Sequence, residues 1–487
     1  MSEIRFVLDG QVRTIEGIDP TTTVLQWLRG AERRCGTKEG CAEGDCGACT
    51  VVLADLHAGT VRYRAVDACL LFLPALDGRA LLTVESLCHR EEPLHPVQEA
   101  LVACHASQCG FCTPGFVMAL TALYESEPAP SRERLDEVLA GNLCRCTGYR
   151  PIVDAAARAW SRGGGPRLAA QEEALRELLG RVARPATLTV EHAGKRFMAP
   201  RTLDEAARLA QANPGARLLA GGSDLGLLVT KQQRDLGDVL SLAEVAELHE
   251  VAWRGGALEI GAAATYTEAL PALGELAPSL GALVRRIASV QIRNVGTVAG
   301  NLANASPIGD MASALLALDA SVVLRRGAAE REVPLAGFFT GYRKTVLEPG
   351  ELIARVRLPR PAAGAVFRAY KVAKRHDQDI STVNGSFSVE LRQGRVHALR
   401  ACYGGMAATP VRVREVETAL TGQPWTEAAV AAALPAVDAA LQPISDMRGS
   451  AGYRRALARN LLRKFQLDTA GEAAAGPRRA AAEAEAP

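Results

Sequence analysis

The string Gly40-Cys41-Ala42-Glu43-Gly44-Asp45-Cys46-Gly47-Ala48-Cys49-Thr50-Val51 places three cysteines in one loop with glycines between them. The spacing is C-x4-C-x2-C, and Cys69 follows at a distance. Gly40, Gly44 and Gly47 permit tight turns and leave room for backbone N–H groups to point at the sulfurs. The loop sits inside a recognisable frame. Ile4–Leu8, the Asp9-Gly10 turn and Gln11–Ile15 predict a hairpin. Thr22 to Gly30 predicts a short helix, with Val24, Leu25 and Leu28 at helical spacing. Thr50–Leu53 and Val61–Tyr63 predict strands, which gives a small mixed unit over residues 1–88.

The period changes after Pro96. Val97–Cys104 predicts a helix, and Thr113-Pro114 predicts the start of another, with Thr113 as cap, running to about Glu125. Ser131 caps a third that stops near Gly141, and Thr147 and Pro151 open a fourth through Trp160. A second cysteine set, Cys109, Cys112, Cys144 and Cys146, falls at the ends of these helices. Two helix hairpins would bring both cysteine pairs to one end of a four-helix bundle over residues 89–162. A Gly/Pro linker, Gly163–Pro166, and a polar, partly helical connector follow within residues 163–188.

Residues 189–360 alternate predicted strands (Arg217–Ala220, Leu258–Ile260, Ser321–Arg325) with predicted helices (Leu203–Ala212, Met311–Leu318). Residues 361–468 read as strands (Phe367–Val372, Val383–Leu391, Arg395–Tyr403) followed by helices. Residues 469–487 read as a low-complexity, disordered tail.

The bulk numbers narrow the class. A net charge of +2, from 56 basic and 54 acidic residues, gives no electrostatic case for nucleic acid or membrane partners. The N-terminus lacks a basic region followed by an apolar one, and no long apolar run exists, so the expectation is a cytoplasmic protein with no membrane segment. There, clustered cysteines read as metal-bound thiolates and not disulfides.

Four thiolates are what a [2Fe–2S] cluster needs, and C-x4-C-x2-C…C is the plant-type ferredoxin spacing. Cys41, Cys46, Cys49 and Cys69 are therefore expected to hold one such cluster. A structural zinc site is the competing reading, but x4 then x2 in one glycine-rich loop is a poor match to zinc spacing. The second set, C-x2-C with C-x-C, fits zinc or iron–sulfur by spacing alone. Cys35, Cys88, Cys104 and Cys402 read as small buried hydrophobes.

A different motif pair stands in the third region. Leu218-Leu219-Ala220-Gly221-Gly222-Ser223-Asp224-Leu225-Gly226 follows a predicted strand. Glycines beside a hydroxyl and a carboxylate can form a backbone nest for a diphosphate, although a bare structural turn accounts for the string equally well. It is neither a Walker A loop nor a G-x-G-x-x-G fingerprint. Gly296-Thr297-Val298-Ala299-Gly300-Asn301, continuing through Ser306-Pro307 to Asp310, is the second string. Two such loops suit one bound dinucleotide better than two unrelated turns.

The contexts Ser107-Gln108-Cys109-Gly110-Phe111-Cys112-Thr113-Pro114-Gly115 and Asn142-Leu143-Cys144-Arg145-Cys146-Thr147-Gly148-Tyr149 resemble the second-cluster domain of the molybdenum hydroxylases, the xanthine dehydrogenase family. Gly40–Val51 resembles that family's first-cluster loop, and both glycine strings resemble its FAD-binding segments. Phe338–Thr345 and Cys402–Ala407 resemble its flavoprotein portion.

The resemblance implies a multidomain α+β chain. Its parts are a β-grasp ferredoxin-like domain, a four-helix-bundle [2Fe–2S] domain, a two-part α+β FAD-binding domain of the PCMH/vanillyl-alcohol-oxidase type, and a C-terminal α+β flavoprotein domain. It implies a second [2Fe–2S] cluster on Cys109, Cys112, Cys144 and Cys146, and FAD held by Leu218–Gly226, Ile287, Thr297, Gly300, Asn301, Asp310, Ile353 and Lys371. Ala299 departs from a frequent family glycine, and Ile287 from an aromatic that some relatives carry beside the flavin. The polar loop Lys374–Asp379 is expected either as a solvated turn or as a gate to the flavin.

The same resemblance implies an electron-transfer subunit. Electrons would pass from a molybdenum cofactor on a molybdopterin-binding large subunit, through the second cluster and then the first, to FAD and on to NAD. The reaction would be oxidation of hypoxanthine or xanthine to urate, in a heterotetramer of two small and two large chains. No catalytic residue for hydroxylation is expected on this chain, which stops before the molybdenum-binding region that longer relatives carry. Alternatives are the same role for another N-heterocycle or an aldehyde, a stand-alone NADH-dependent reductase, and a zinc scaffold.

Overall fold

A computed structural model describes residues 3–88, 93–161 and 168–474. The first unit is a five-stranded mixed sheet in the order β2-β1-β5-β3-β4. Its strands are β1 (Ile4–Leu8), β2 (Gln11–Ile15), β3 (Thr50–His57), β4 (Thr60–Asp67) and β5 (Ala80–Leu82). Helix α1 (Val24–Gly30) packs Val24, Leu25 and Leu28 beneath it. Thr23 begins that helix with a reciprocal cap, accepting from the Gln26 N–H while the Gln26 side chain accepts from the Thr23 N–H. β1 runs parallel to β5 and antiparallel to β2, the β-grasp arrangement. β3 and β4 are longer than the sequence pattern suggests, because Asp55, Arg62 and Arg64 continue the ladder as polar residues facing another part of the chain.

Helices α2 (Pro96–Ala103), α3 (Thr113–Ser126), α4 (Arg132–Leu139) and α5 (Arg150–Ser161) form the bundle. The N-cap of α3 is Cys112 and not Thr113, whose hydroxyl instead bonds Ser107 at 2.8 Å. Phe116, Met118, Leu120 and Leu123 of α3 are buried in one core with Val52 and Ala54 of β3 and Ala65 of β4. Each such large side chain contributes roughly 1.5–3 kcal/mol on burial, so the two cysteine-bearing units are one packed body. Helix α6 (Glu172–Val182) belongs to it through Leu179 and Val182, so this connector is packed against the body. The predicted Gly163–Pro166 linker lies outside the described residues.

The third region has two sheets. β6 (Leu188–His192), β7 (Lys195–Ala199), β8 (Arg217–Leu219) and β9 (Val239–Ser241) are ordered β6-β7-β9-β8, with α7 (Leu203–Ala212) and α8 (Leu225–Thr230) inserted. An antiparallel sheet ordered β10-β11-β16-β12-β13 follows. It comprises β10 (Val251–Arg254), β11 (Ala257–Gly261), β12 (Ser321–Arg326), β13 (Ala329–Pro334) and β16 (Leu352–Pro359), and the hairpin β14 (Phe339–Gly341) with β15 (Lys344–Thr345) precedes β16. Between β11 and β12 lie α9 (Tyr266–Leu276), α10 (Pro278–Arg285), α11 (Val290–Arg293), α12 (Val298–Asn304) and α13 (Asp310–Leu316).

The last region is the antiparallel sheet β17 (Val366–Val372), β18 (Val383–Arg392), β19 (Arg395–Gly404), β20 (Val411–Arg412), covered by α14 (Arg414–Leu420), α15 (Glu427–Ala440) and α16 (Ala451–Ala474). α16 continues through residues 469–474, which the sequence reading assigned to a disordered tail; the rest of that tail lies outside the described residues. No helix among the described residues is long and apolar enough to cross a membrane.

Candidate cofactor sites and their junctions

The first cysteine loop folds back on itself. The N–H groups of Glu43, Asp45 and Cys46 donate to the Cys41 sulfur at 3.3–3.4 Å, and the Cys41 N–H donates to the Cys46 sulfur at 3.4 Å. The Cys46 side chain and these three N–H groups pull the Cys41 thiol down to about 5, against burial. A thiolate cradled by backbone donors is the form that binds metal. The sulfurs approach in pairs, Cys41 with Cys46 and Cys49 with Cys69. Asp67, which the sequence reading missed, is buried with an oxygen 3.7 Å from the Cys49 sulfur, and burial pushes its carboxyl up to about 7.

The second set has the same pairwise form. Cys146 and Cys109 sulfurs lie 3.5 Å apart, and Cys112 pairs with Cys144. Burial raises the Cys144 thiol, but the Thr147 hydroxyl, 3.1 Å away, and the N–H groups of Thr147 and Cys146, at 3.4 Å, outweigh it and lower it below the ordinary value. The Tyr149 hydroxyl accepts from the Cys144 N–H at 3.0 Å. Two thiolates at each of two positions suit a two-iron cluster better than one zinc ion, which needs four ligands converging on a single point. Cys109 and Cys146 are exposed, beside Phe111 and Tyr149, whereas Cys49 and Cys69 are buried.

The two glycine strings meet. A Cβ on Gly221 would fall on the Val295 carbonyl oxygen, so only glycine permits the contact. The Tyr266 N–H donates to the Gly296 carbonyl at 2.8 Å, and Thr297 caps α12 by accepting from the Gly300 N–H at 2.9 Å. Gly222 takes a positive φ of 76° in the turn. Between the loops opens a cavity of about 550 Å³. Leu218, Ala220, Gly221, Gly222, Ser223, Asp224, Leu225, Thr297, Gly300, Asn301 and Ile353 all line it, as does Ala299, the departure from the family pattern.

The other expected FAD residues sit elsewhere. Leu219 faces a second cavity, on the side of the first unit. A Cβ on Gly226 would come within 3.0–3.4 Å of Leu70, next to Cys69. Ile287 is half-buried against the core. Asp310 and Lys371 form a buried ion pair at 2.8 Å, with Ser381 and Asn384 donating to the other Asp310 oxygen. Asp310 is nonetheless near enough to Tyr266 that its charge, after burial and with that of Asp224, raises the phenol.

The cavity fits FAD on its own terms. It is in the size range of cofactor sites. The buried Tyr266 hydroxyl and Asn301 Oδ1, both on its wall, have no protein partner, and such groups are costly unless a ligand or water satisfies them. Tyr266 and Asn304 are lining residues that sequence reading did not single out, and Arg343, from the string Phe338–Thr345, lines it too. Asp224 lies near Arg343 and bonds Asn304, and burial holds its carboxyl above the ordinary value.

Four family models match successive stretches of the chain. Residues 6–70 match the 2Fe-2S iron-sulfur cluster binding domain and 83–157 the [2Fe-2S] binding domain. Residues 191–361 match the FAD binding domain in molybdopterin dehydrogenase, and 368–469 the CO dehydrogenase flavoprotein C-terminal domain. A xanthine dehydrogenase of Emericella nidulans is 33% identical over 96% of this chain, and a xanthine dehydrogenase/oxidase of Gallus gallus 31% over 96%. The chain spans 38% and 40% of the length of those two relatives. Among solved structures, a carbon monoxide dehydrogenase chain from Hydrogenophaga pseudoflava is 30% identical with a TM-score of 0.53, covering 55% of this chain and 94% of that one. Quinoline 2-oxidoreductase from Pseudomonas putida 86 is 28% identical at the same TM-score, covering 57% and 97%.

The molecule thus has two [2Fe–2S]-binding domains and an FAD-binding domain. It belongs to the molybdenum hydroxylases, as the iron–sulfur and FAD part.

Proposed function

We propose that this chain is the electron-transfer part of a xanthine dehydrogenase, working with a molybdopterin-binding large chain and passing electrons to NAD. When loaded, the clusters supply one-electron transfer, and the flavin links it to two-electron chemistry with a nicotinamide. The chain's own part is placement. Cys109 and Cys146 stand exposed, flanked by the half-exposed rings of Phe111 and Tyr149. That edge suits docking to the partner, and this asymmetry between the two cysteine sets is the observation that carries the reading. In the first set none is exposed, Cys49 and Cys69 being buried and Cys41 and Cys46 half-buried, and Leu70, directly after Cys69, lies against Gly222 and Gly226 of the FAD loop. The order is therefore second cluster, first cluster, flavin.

The xanthine dehydrogenases match 96% of this chain within one polypeptide, whereas the carbon monoxide dehydrogenase and quinoline 2-oxidoreductase chains match 55–57%, which supports a xanthine dehydrogenase-type order of the parts. The loop Lys374–Asp379 fits a gate better than a free turn. The Arg286 guanidinium donates to the His376 carbonyl at 3.3 Å, and the Gln378 amide donates to the Ala140 carbonyl beside the second cysteine set. Cytoplasmic residence and a two-plus-two assembly belong to the same reading. Affinity capture from the native cell tests it: recovery of a molybdenum-containing chain, with xanthine-dependent NAD reduction by the complex, is expected. Recovery of an active NADH-oxidising protein with no molybdenum partner would overturn it.

A further inference from the structure

Segment Val290–Thr297 touches every cofactor site in turn, although none of its residues is a cluster ligand. Val290 packs into the core shared by the bundle. Gln291 is fully buried, and its amide donates to Asn142 Oδ1 at 3.0 Å and to Thr50 Oγ1 at 3.3 Å. Asn142 lies two residues before Cys144, and Thr50 directly follows Cys49. Ile292 meets the first cysteine loop, where a Cβ on Gly44 would come 2.8 Å from its Cδ1. Arg293, also buried, pairs with Glu137 of α4 at 2.6 Å. Asn294 donates to the Ala65 carbonyl of β4 at 2.8 Å. Val295 and Gly296 then form the floor on which Gly221 rests, and Thr297 enters the FAD cavity.

The junction at Gln291 binds the two cysteine-bearing loops to each other. A Cβ on Gly141 would lie 2.8 Å from the Gln291 Cδ, and one on Gly47 2.5 Å from Asn142 Nδ2. Asn142 Nδ2 donates to the Gly47 carbonyl at 2.8 Å. This close approach lets the Leu143 N–H donate to the Cys46 carbonyl at 2.9 Å. One residue and one hydrogen bond therefore join a ligand of one cluster to a ligand of the other.

We propose that Gln291 is a positioning residue that fixes the spacing of the two cysteine sets through Asn142 and Thr50 and so preserves the Leu143–Cys46 bond as the route between clusters. The proposal rests on the two-cluster reading. Its physical basis is that an amide buried between two loops, with both donors used, can be replaced only by leaving Asn142 Oδ1 unpaired. The loops then separate. Electron exchange and magnetic coupling between the clusters both fall steeply with separation, so a small opening is amplified.

The test is electron paramagnetic resonance of the fully reduced, cofactor-loaded full chain, wild type against Gln291→Leu, with iron and FAD content measured. Wild type is expected to show two cluster signals with mutual splitting. Gln291→Leu is expected to retain both signals, the iron and the FAD, but to lose the splitting. Unchanged splitting in the loaded variant overturns the proposal. Should Leu prevent loading, the near-isosteric Gln291→Glu, which faces Asn142 Oδ1 with an acceptor, is read the same way: lost splitting supports the proposal, retained splitting overturns it. Absence of two cluster signals in the wild type would instead refute the underlying two-cluster reading.

Discussion

Replacing Gly221 by alanine tests the junction of the two FAD loops. The added methyl would stand 2.5 Å from the Val295 carbonyl carbon and 2.8 Å from Gly296 Cα, with the Val295 oxygen closer still. All three obstacles are backbone, so no side chain can swing away. Val295 is anchored on both sides, because Asn294 bonds the Ala65 carbonyl and Gly296 bonds the Tyr266 N–H. The loops must separate, at a cost of about 1–3 kcal/mol for overpacking. Because the FAD cavity lies between them, that cost should appear as FAD affinity weakened about 5- to 150-fold. Gly274→Ala is the control, since its added methyl meets nothing within 4 Å. Flavin released on dilution, followed by fluorescence, reads both variants. Wild-type affinity in Gly221→Ala would refute the reasoning, because it would mean that the loop contact does not shape the site.

Three further outcomes are expected. Cys69→Ser should abolish one cluster signal and Cys146→Ser the other, each sparing its neighbour; loss of both in either variant would contradict separate sites. Lys371→Met leaves Asp310 buried without its cation, a loss of about 3–5 kcal/mol, and should lower the thermal midpoint markedly, whereas unchanged melting would contradict a buried pair. The junction between the first unit and the FAD region should weaken in acid. Burial raises the Asp55 and Glu268 carboxyls, but Arg62 and Arg64 at Asp55, and His249 and the Thr265 N–H at Glu268, outweigh it and hold both below their ordinary values. Their stabilisation is present above roughly pH 4 and is lost as pH falls, whereas the share of His249, whose value is raised, is complete below about pH 6.5 and fades on the alkaline side. Thermal unfolding against pH should show the acid loss blunted in Glu268→Gln.

Much of this was legible because it is local. Cysteine spacing, the capped helix start at Ser131 and the Asp9-Gly10 turn are set by a few adjacent residues. The parts missed are those fixed by distant partners. Arg62 and Arg64 read as the end of a strand until Glu268 and the Asn294 carbonyl are seen to receive them. Gln291 carries no motif, because Asn142 and Thr50 are far away in sequence. Leu219 and Gly226 belong to the FAD string but face the first unit, because one turn cannot point all nine residues into one cavity. A preference for glycine at Gly141 is visible only once Gln291 is in place against it.

The central claim is that this chain holds two clusters and a flavin as one relay. Purified full-length protein, analysed for metal and flavin and examined by visible and paramagnetic resonance spectroscopy, tests it most directly. The account predicts about four iron and one FAD per chain, with two distinguishable [2Fe–2S] signals on reduction. A colourless protein containing zinc, or one lacking either the flavin band or the second signal, would contradict it.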